Sequence, residues 1–141
     1  MNKRNAYRSI IMDNYKNPSN FTRNIPGGYI ELKASSLTCL DHFNIFIKTS
    51  NNLIFDILFN GEGCSISTSA LNIMAKYLKG KNKKDAIVFL KNYEVFIKEG
   101  KTDNIELGDF VVFENVHIHL NRITCALMGS NTILTELESS N

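Results

Sequence analysis

The sequence predicts an α+β fold: an antiparallel three-stranded sheet with helices packed on one face. Three observations predict it. Apolar residues alternate with period two mainly within residues 29–60, helical spacing dominates the chain beyond them, and a short polar turn joins two of the alternating runs. Strands grouped together and followed by helices make layers rather than alternating strand–helix units.

Each element follows in order. Tyr7, Ile10, Ile11 and Tyr15 fall at spacings of three and four, which predicts a helix over 4–16. Asn17-Pro18-Ser19-Asn20 ends it, because the residue before proline is disfavoured in a helix. A loop through Pro26-Gly27-Gly28 leads to a first strand at 29–36. Phe43, Ile45 and Ile47 then alternate with Asn44, Phe46 and Lys48. After Ser50-Asn51-Asn52, Leu53, Phe55, Ile57 and Phe59 alternate with Ile54, Asp56, Leu58 and Asn60, which makes a hairpin. From Ser65 the period changes: Ile66, Ala70, Ile73, Met74, Tyr77 and Leu78 form one helical stripe ending at Gly80. Ala86, Phe89, Leu90, Tyr93, Phe96 and Ile97 form another, ending at Gly100. Within 101–120 the alternation of Val116, Ile118 and Leu120 with His117 and His119 fits a strand or a loop. A last helix covers 122–137. The length of 141 residues fits a single domain over 1–141.

Bulk properties narrow the function. A net charge of +2 is too mild to predict nucleic-acid binding. No apolar run approaches the roughly 20 residues of a membrane span. Near the N-terminus, Arg8, Ser9 and Asp13 interrupt the apolar positions, giving an amphipathic pattern rather than a signal-peptide core. The expected location is the cytoplasm, where thiols stay reduced.

The chain has three cysteines, each at a junction between elements. Cys39 lies between the first strand and the hairpin, with Asp41 two residues on; in an extended segment their side chains share a face. Cys64 follows Phe59-Asn60-Gly61-Glu62-Gly63 and opens the first long helix. Gly61 and Gly63 allow a tight reversal, including positive φ. The N–H groups at that helix start favour a thiolate. Cys125 is expected in the first turn of the last helix, with the same help. Three thiolates and one carboxylate are four ligands, the number tetrahedral zinc takes, and soft sulfur favours zinc or an iron–sulfur centre. Without a C-x-x-C pair, spacing is weak evidence for a shared site and leaves open three buried small cysteines, which are common in cores. The histidines read as surface residues: His42 points away from Asp41, and His117 and His119 sit on a solvated face.

Four segments, in order, resemble the U-type iron–sulfur assembly proteins, the family of IscU, SufU and the N-terminal part of NifU. They are Tyr15-Lys16-Asn17-Pro18-Ser19-Asn20, Cys39-x-Asp41, Phe59-x-Gly61-x-Gly63-Cys64-Ser65-Ile66-Ser67, and Arg122-Ile123-Thr124-Cys125. Cys64 and Cys125 stand 61 residues apart, long enough for the insertion of the SufU branch. Thr124 replaces the His of the IscU branch and the Lys usual in the SufU branch. The Leu-Pro-Pro-Val-Lys segment of IscU proteins is absent, Leu40 stands where the family has Gly, and Ser19 replaces the usual Arg. The resemblance implies a zinc-dependent sulfur acceptor or sulfurtransferase. Cys39, Asp41, Cys64 and Cys125 would hold the metal, and Cys39 would take persulfide sulfur from a SufS-type cysteine desulfurase. Arg122, three residues before Cys125, would support the charge of the site. Downstream iron–sulfur assembly proteins would receive the sulfur, and the protein would be a monomer or weak dimer. The alternative reading is a scaffold that assembles an iron–sulfur cluster on the same ligands.

Overall fold

The computed structural model describes residues 2–36 and 40–140. These residues form four helices and one sheet, the helices being α1 (Lys3–Lys16), α2 (Ser65–Leu78), α3 (Lys83–Glu99) and α4 (Leu120–Ser139). The strands β1 (Ile30–Ser35), β2 (His42–Ser50) and β3 (Leu53–Glu62) pair antiparallel in the order β1-β2-β3. This is the α+β arrangement expected. Helices α2 and α4 lie against the sheet, α1 packs on α2, and α3 packs on α4. Among the described residues, no helix is long and apolar enough to cross a membrane.

The hairpin turn places Asn51 and Asn52 at φ of 52° and 63°, as a two-residue turn matched to strand twist requires. One strand pattern differs from expectation. An irregularity between Lys48 and Thr49 shifts the register, so that Asp56 pairs with Lys48 but Ile54 pairs with Thr49. The extra residue, Phe55, turns the start of β3 over. Ile54 is therefore in the core, whereas Leu53 and Phe55 are exposed, the reverse of simple alternation. Phe46, read with the polar face of β2, is also buried; it sits between Glu31 and Leu58 on the side away from Phe43 and Ile45.

Residues 20–22 and 80–83 cover the outer edge of β3. Thr22 donates its N–H to the Phe59 carbonyl, Phe59 donates to Asn20, and Ile54 donates to Lys81. An edge strand is thereby closed to intermolecular pairing. Three buried asparagines fix this strap. The side chain of Asn72 on α2 accepts from the Asn20 N–H at 2.9 Å and donates to Asn14 Oδ1 on α1 at 2.8 Å. Asn20 Nδ2 donates to the Ile57 carbonyl at 2.8 Å. Every member finds a partner, as burial of amides demands. Tyr15, assigned to the apolar stripe of α1, instead faces outward, and Asn14 is the buried residue of that turn.

Residues 101–120 form no strand. Two 3₁₀ turns, Gly108–Phe113 and Val116–Ile118, run there, anchored by Phe110 and Phe113 in the core. Phe110 packs on Tyr77, Phe89 and Tyr93. Tyr93 is fully buried, which pushes its hydroxyl far above its usual range, and it donates to the Ala126 carbonyl at 2.9 Å. Ile118 and Leu120 are exposed, so their alternation with Val116 is accidental.

Glu114 ties this segment to α1. It receives Lys3 Nζ at 2.7 Å and the Tyr7 hydroxyl at 3.1 Å. The hydrogen bond from Lys3 holds its carboxyl below the usual 4.5. A depressed carboxylate contributes stability above its unfolded value, and this is lost as pH falls through the folded value. Glu114→Gln is thus expected to lower the urea midpoint at pH 7, with the gap to the unsubstituted protein closing below about pH 4.5. Urea titrations of both proteins across pH 3–7 read this out; a gap that persists at the acid end would mean the ion pair is not its source.

Candidate metal centre

Cys64 is the N-cap of α2. Its backbone is extended (φ −71°, ψ 174°), and its sulfur accepts the Ser67 N–H at 3.4 Å. The two glycines before it act differently. Gly61 lies within β3 at φ +114°, where an added Cβ would overlap the His42 carbonyl oxygen and stand 2.8 Å from Phe43 Cα. Gly63 does not have positive φ; it is needed for space, since a Cβ there would fall on Ser67 Oγ and 2.5 Å from the Phe43 ring. Strand β3 can therefore lie close against the start of β2, where Asp41 precedes His42.

This contact decides the geometry. Asp41, Cys64 and Cys125 bring their ligand atoms within 4.8 Å of one another. Around zinc with bonds near 2.3 Å, tetrahedral sulfurs would be about 3.8 Å apart, so small side-chain adjustments suffice. Two sulfurs and a carboxylate oxygen are a donor set that fits a soft or borderline divalent ion. Asp41 is half-buried, Cys64 is exposed and Cys125 is buried, so the cluster opens to solvent on the Cys64 side. Cys39, two residues before Asp41, lies outside the described residues.

Ser67 escaped the reading of the sequence. It is buried, and its hydroxyl donates to Asp41 Oδ2 at 2.7 Å while lying 3.5 Å from Cys64 Sγ. It thus aims the carboxylate and braces the thiol. The signal was present: position three of a helix is where a polar residue meets its N-cap.

Cys125 sits differently from expectation. Helix α4 starts at Leu120, not 122, so Cys125 falls in its second turn, beyond the strongest field of the helix end. Arg122 is in the first turn and is exposed; it lines a groove that also includes Cys64. Thr124 is half-buried and faces a separate cleft with Ser35, Glu94 and Lys98. Leu40 is 96% exposed, so its side chain does not crowd the centre. His42 is exposed, with Nδ1 3.3 Å from the Leu40 carbonyl oxygen. The His117 ring packs over Gly100, with Nδ1 2.9 Å from the Glu114 carbonyl oxygen, and His119 is exposed. No histidine joins the cluster among the described residues.

Residues 6–126 match the family described as NifU-like N terminal domain. The chain belongs to this family. The NifU-like chain is 34% identical over 125 residues to the zinc-dependent sulfurtransferase SufU of Bacillus subtilis (strain 168), covering 87% of this chain and 83% of that one. It is 24% identical over 135 residues to the iron–sulfur cluster assembly scaffold protein IscU of Streptococcus pyogenes serotype M1, covering 95% and 84%. Among solved structures it is similar to a candidate iron–sulfur cluster assembly scaffold protein for the SUF system from Fervidobacterium islandicum AW-1. The TM-score is 0.79 at 26% identity, over 98% of each chain. The family and its assembly role thus agree with the resemblance carried by the four segments.

Proposed function

We propose that this protein is a zinc-dependent sulfur acceptor serving iron–sulfur assembly, with Cys39, Asp41, Cys64 and Cys125 as the metal ligands. The convergence of Asp41, Cys64 and Cys125, with Cys39 two residues away in the chain, carries this reading. Zinc, when bound, would keep the thiols as thiolates and guard them against oxidation. Ser67 holds Asp41 in place, and Arg122 offers positive charge at the open side.

The Cys39 thiolate attacks the outer sulfur of a cysteine persulfide on the desulfurase. A new S–S bond forms on Cys39, the donor's S–S bond breaks, and the donor cysteine leaves as a thiolate. One persulfide is consumed and one is made, so no external oxidant or reductant is needed. Thr124, in place of the IscU-branch histidine, supports the acceptor role over cluster scaffolding.

Metal analysis of protein purified without added iron, together with desulfurase turnover with and without the protein, tests the proposal. About one zinc per chain and raised turnover are expected. Bound iron and sulfide without raised turnover would replace it with the scaffold reading. Ser67→Ala is expected to weaken zinc binding about 10- to 100-fold while the far-ultraviolet spectrum stays unchanged. Competition against a coloured chelator measures this, and unaltered affinity would remove Ser67 from the site.

A further inference from the structure

A groove of about 920 Å³ runs beside the candidate centre, between the N-terminal turns of α1, α2 and α4, and Cys64 is part of its lining. Arg4 and Arg8 of α1 and Arg122 of α4 line it together with Tyr7 and Ile66. Among the described residues Glu114 is the only acidic one in its lining, and Lys3 and Tyr7 already engage it. Arg4, Arg8 and Arg122 form no ion pair among the described residues.

Local helix electrostatics do not favour these cations. Arg4 and Arg122 occupy first turns that contain no acidic residue, where positive charge opposes the helix dipole. Arg4 and Arg8 are four residues apart on one helix, a spacing at which like charges repel. Overall composition does not explain the cluster either, because 16 basic residues are nearly balanced by 14 acidic ones. Charge placed against local stability in a groove calls for an anionic occupant from outside.

We propose that this groove seats an acidic segment of the sulfur-donating desulfurase; the inference rests on the acceptor reading above. Carboxylates along an extended segment would meet Arg4 and Arg8 on one wall and Arg122 on the other. Tyr7, Ile11 and Ile66 supply apolar contact between them. A compact anion would instead call for donors converging on one point. Because Cys64 lies in the same groove, a segment seated there brings its parent protein to the centre. Guanidinium groups suit the task, since they pair with carboxylates in bidentate fashion.

The test titrates the cognate desulfurase with this protein and with the double variant Arg4→Glu/Arg8→Glu, reading both turnover and direct binding by calorimetry. The half-saturating concentration is expected to rise roughly tenfold or more, and the steep salt dependence to flatten. Zinc per chain should stay unchanged, and the milder Arg4→Gln/Arg8→Gln pair should give a smaller shift in the same direction. Lys84→Glu, a reversal on the first turn of α3, should shift nothing. An unshifted half-saturation beside a stimulating unsubstituted protein overturns the groove and leaves the acceptor reading intact. So does loss of zinc with unshifted binding, which would assign the arginines to the metal. If the unsubstituted protein binds but never stimulates, the acceptor reading fails, and the binding titration alone judges the groove.

Discussion

Cys39→Ala is expected to abolish the rise in desulfurase turnover, returning it to the rate of the desulfurase alone. Alanine has no sulfur with which to form the new S–S bond. The other two thiols are poor substitutes. Cys125 is buried on α4 and cannot approach a persulfide on another protein. Cys64 is exposed, but its sulfur caps α2 through the Ser67 N–H, and moving it would uncap the helix. In the sequence Cys39 falls between Ser35, where β1 ends, and His42, where β2 begins. A group that must reach a partner belongs in such a connection. Mass spectrometry of the protein after a single turnover should find one added sulfur on the peptide containing Cys39, and none in the variant. Turnover that survives the substitution would show that another thiol accepts the sulfur.

Gly61→Ala is expected to cost about 3 kcal/mol or more, lowering the melting temperature by roughly 10 °C. Two effects add. A φ of +114° is a conformation that residues with a Cβ rarely adopt, and the new atom would meet backbone atoms of His42 and Phe43, which cannot rotate aside. Relief requires β3 to lift from β2 where Phe43 pairs with Gly61, at the end of the hairpin that brings Asp41 beside Cys64. Metal retention should fall together with stability. Gly27→Ala is the control: a Cβ there meets nothing within 4 Å, and its effect should stay within about 0.5 kcal/mol. Melting curves that agree to within two or three degrees for Gly61→Ala and the unsubstituted protein would mean the strands tolerate a side chain at this point.

Much of the architecture was legible because periodicity reports burial directly. The apolar residues of α2 and α3 repeat at helical spacing over several turns, so their existence and their core faces follow from Ile73, Met74, Phe89, Tyr93 and Ile97 alone. Where burial involves polar groups, the pattern is silent. Asn14, Asn20 and Asn72 look like surface residues in the sequence, yet they join α1, the strap and β3 by side-chain hydrogen bonds among themselves and to the backbone. The bulge at Phe55 was hidden for a related reason: one unpaired residue inverts the strand face without altering composition. Residues 101–120 kept an alternating pattern, but the edge of β3 was already covered by residues 20–22 and 80–83, which closes that edge to a further strand.

The candidate centre divides in the same way. Chemistry belongs to residue type, so the amino-acid chain by itself determined that three thiols and a nearby carboxylate were available, that Cys64 would open a helix, and which family the motifs resemble. Distance belongs to packing, so only the tertiary structure decided that Asp41, Cys64 and Cys125 meet, that Ser67 aims the carboxylate, and that Arg4 and Arg8 share a groove with Cys64. Residues 23 to 84 positions apart in the chain become neighbours through the pairing of β2 with β3 and the packing of α4 on α2. No local rule of spacing encodes those contacts, because their free energy is collected from the whole core.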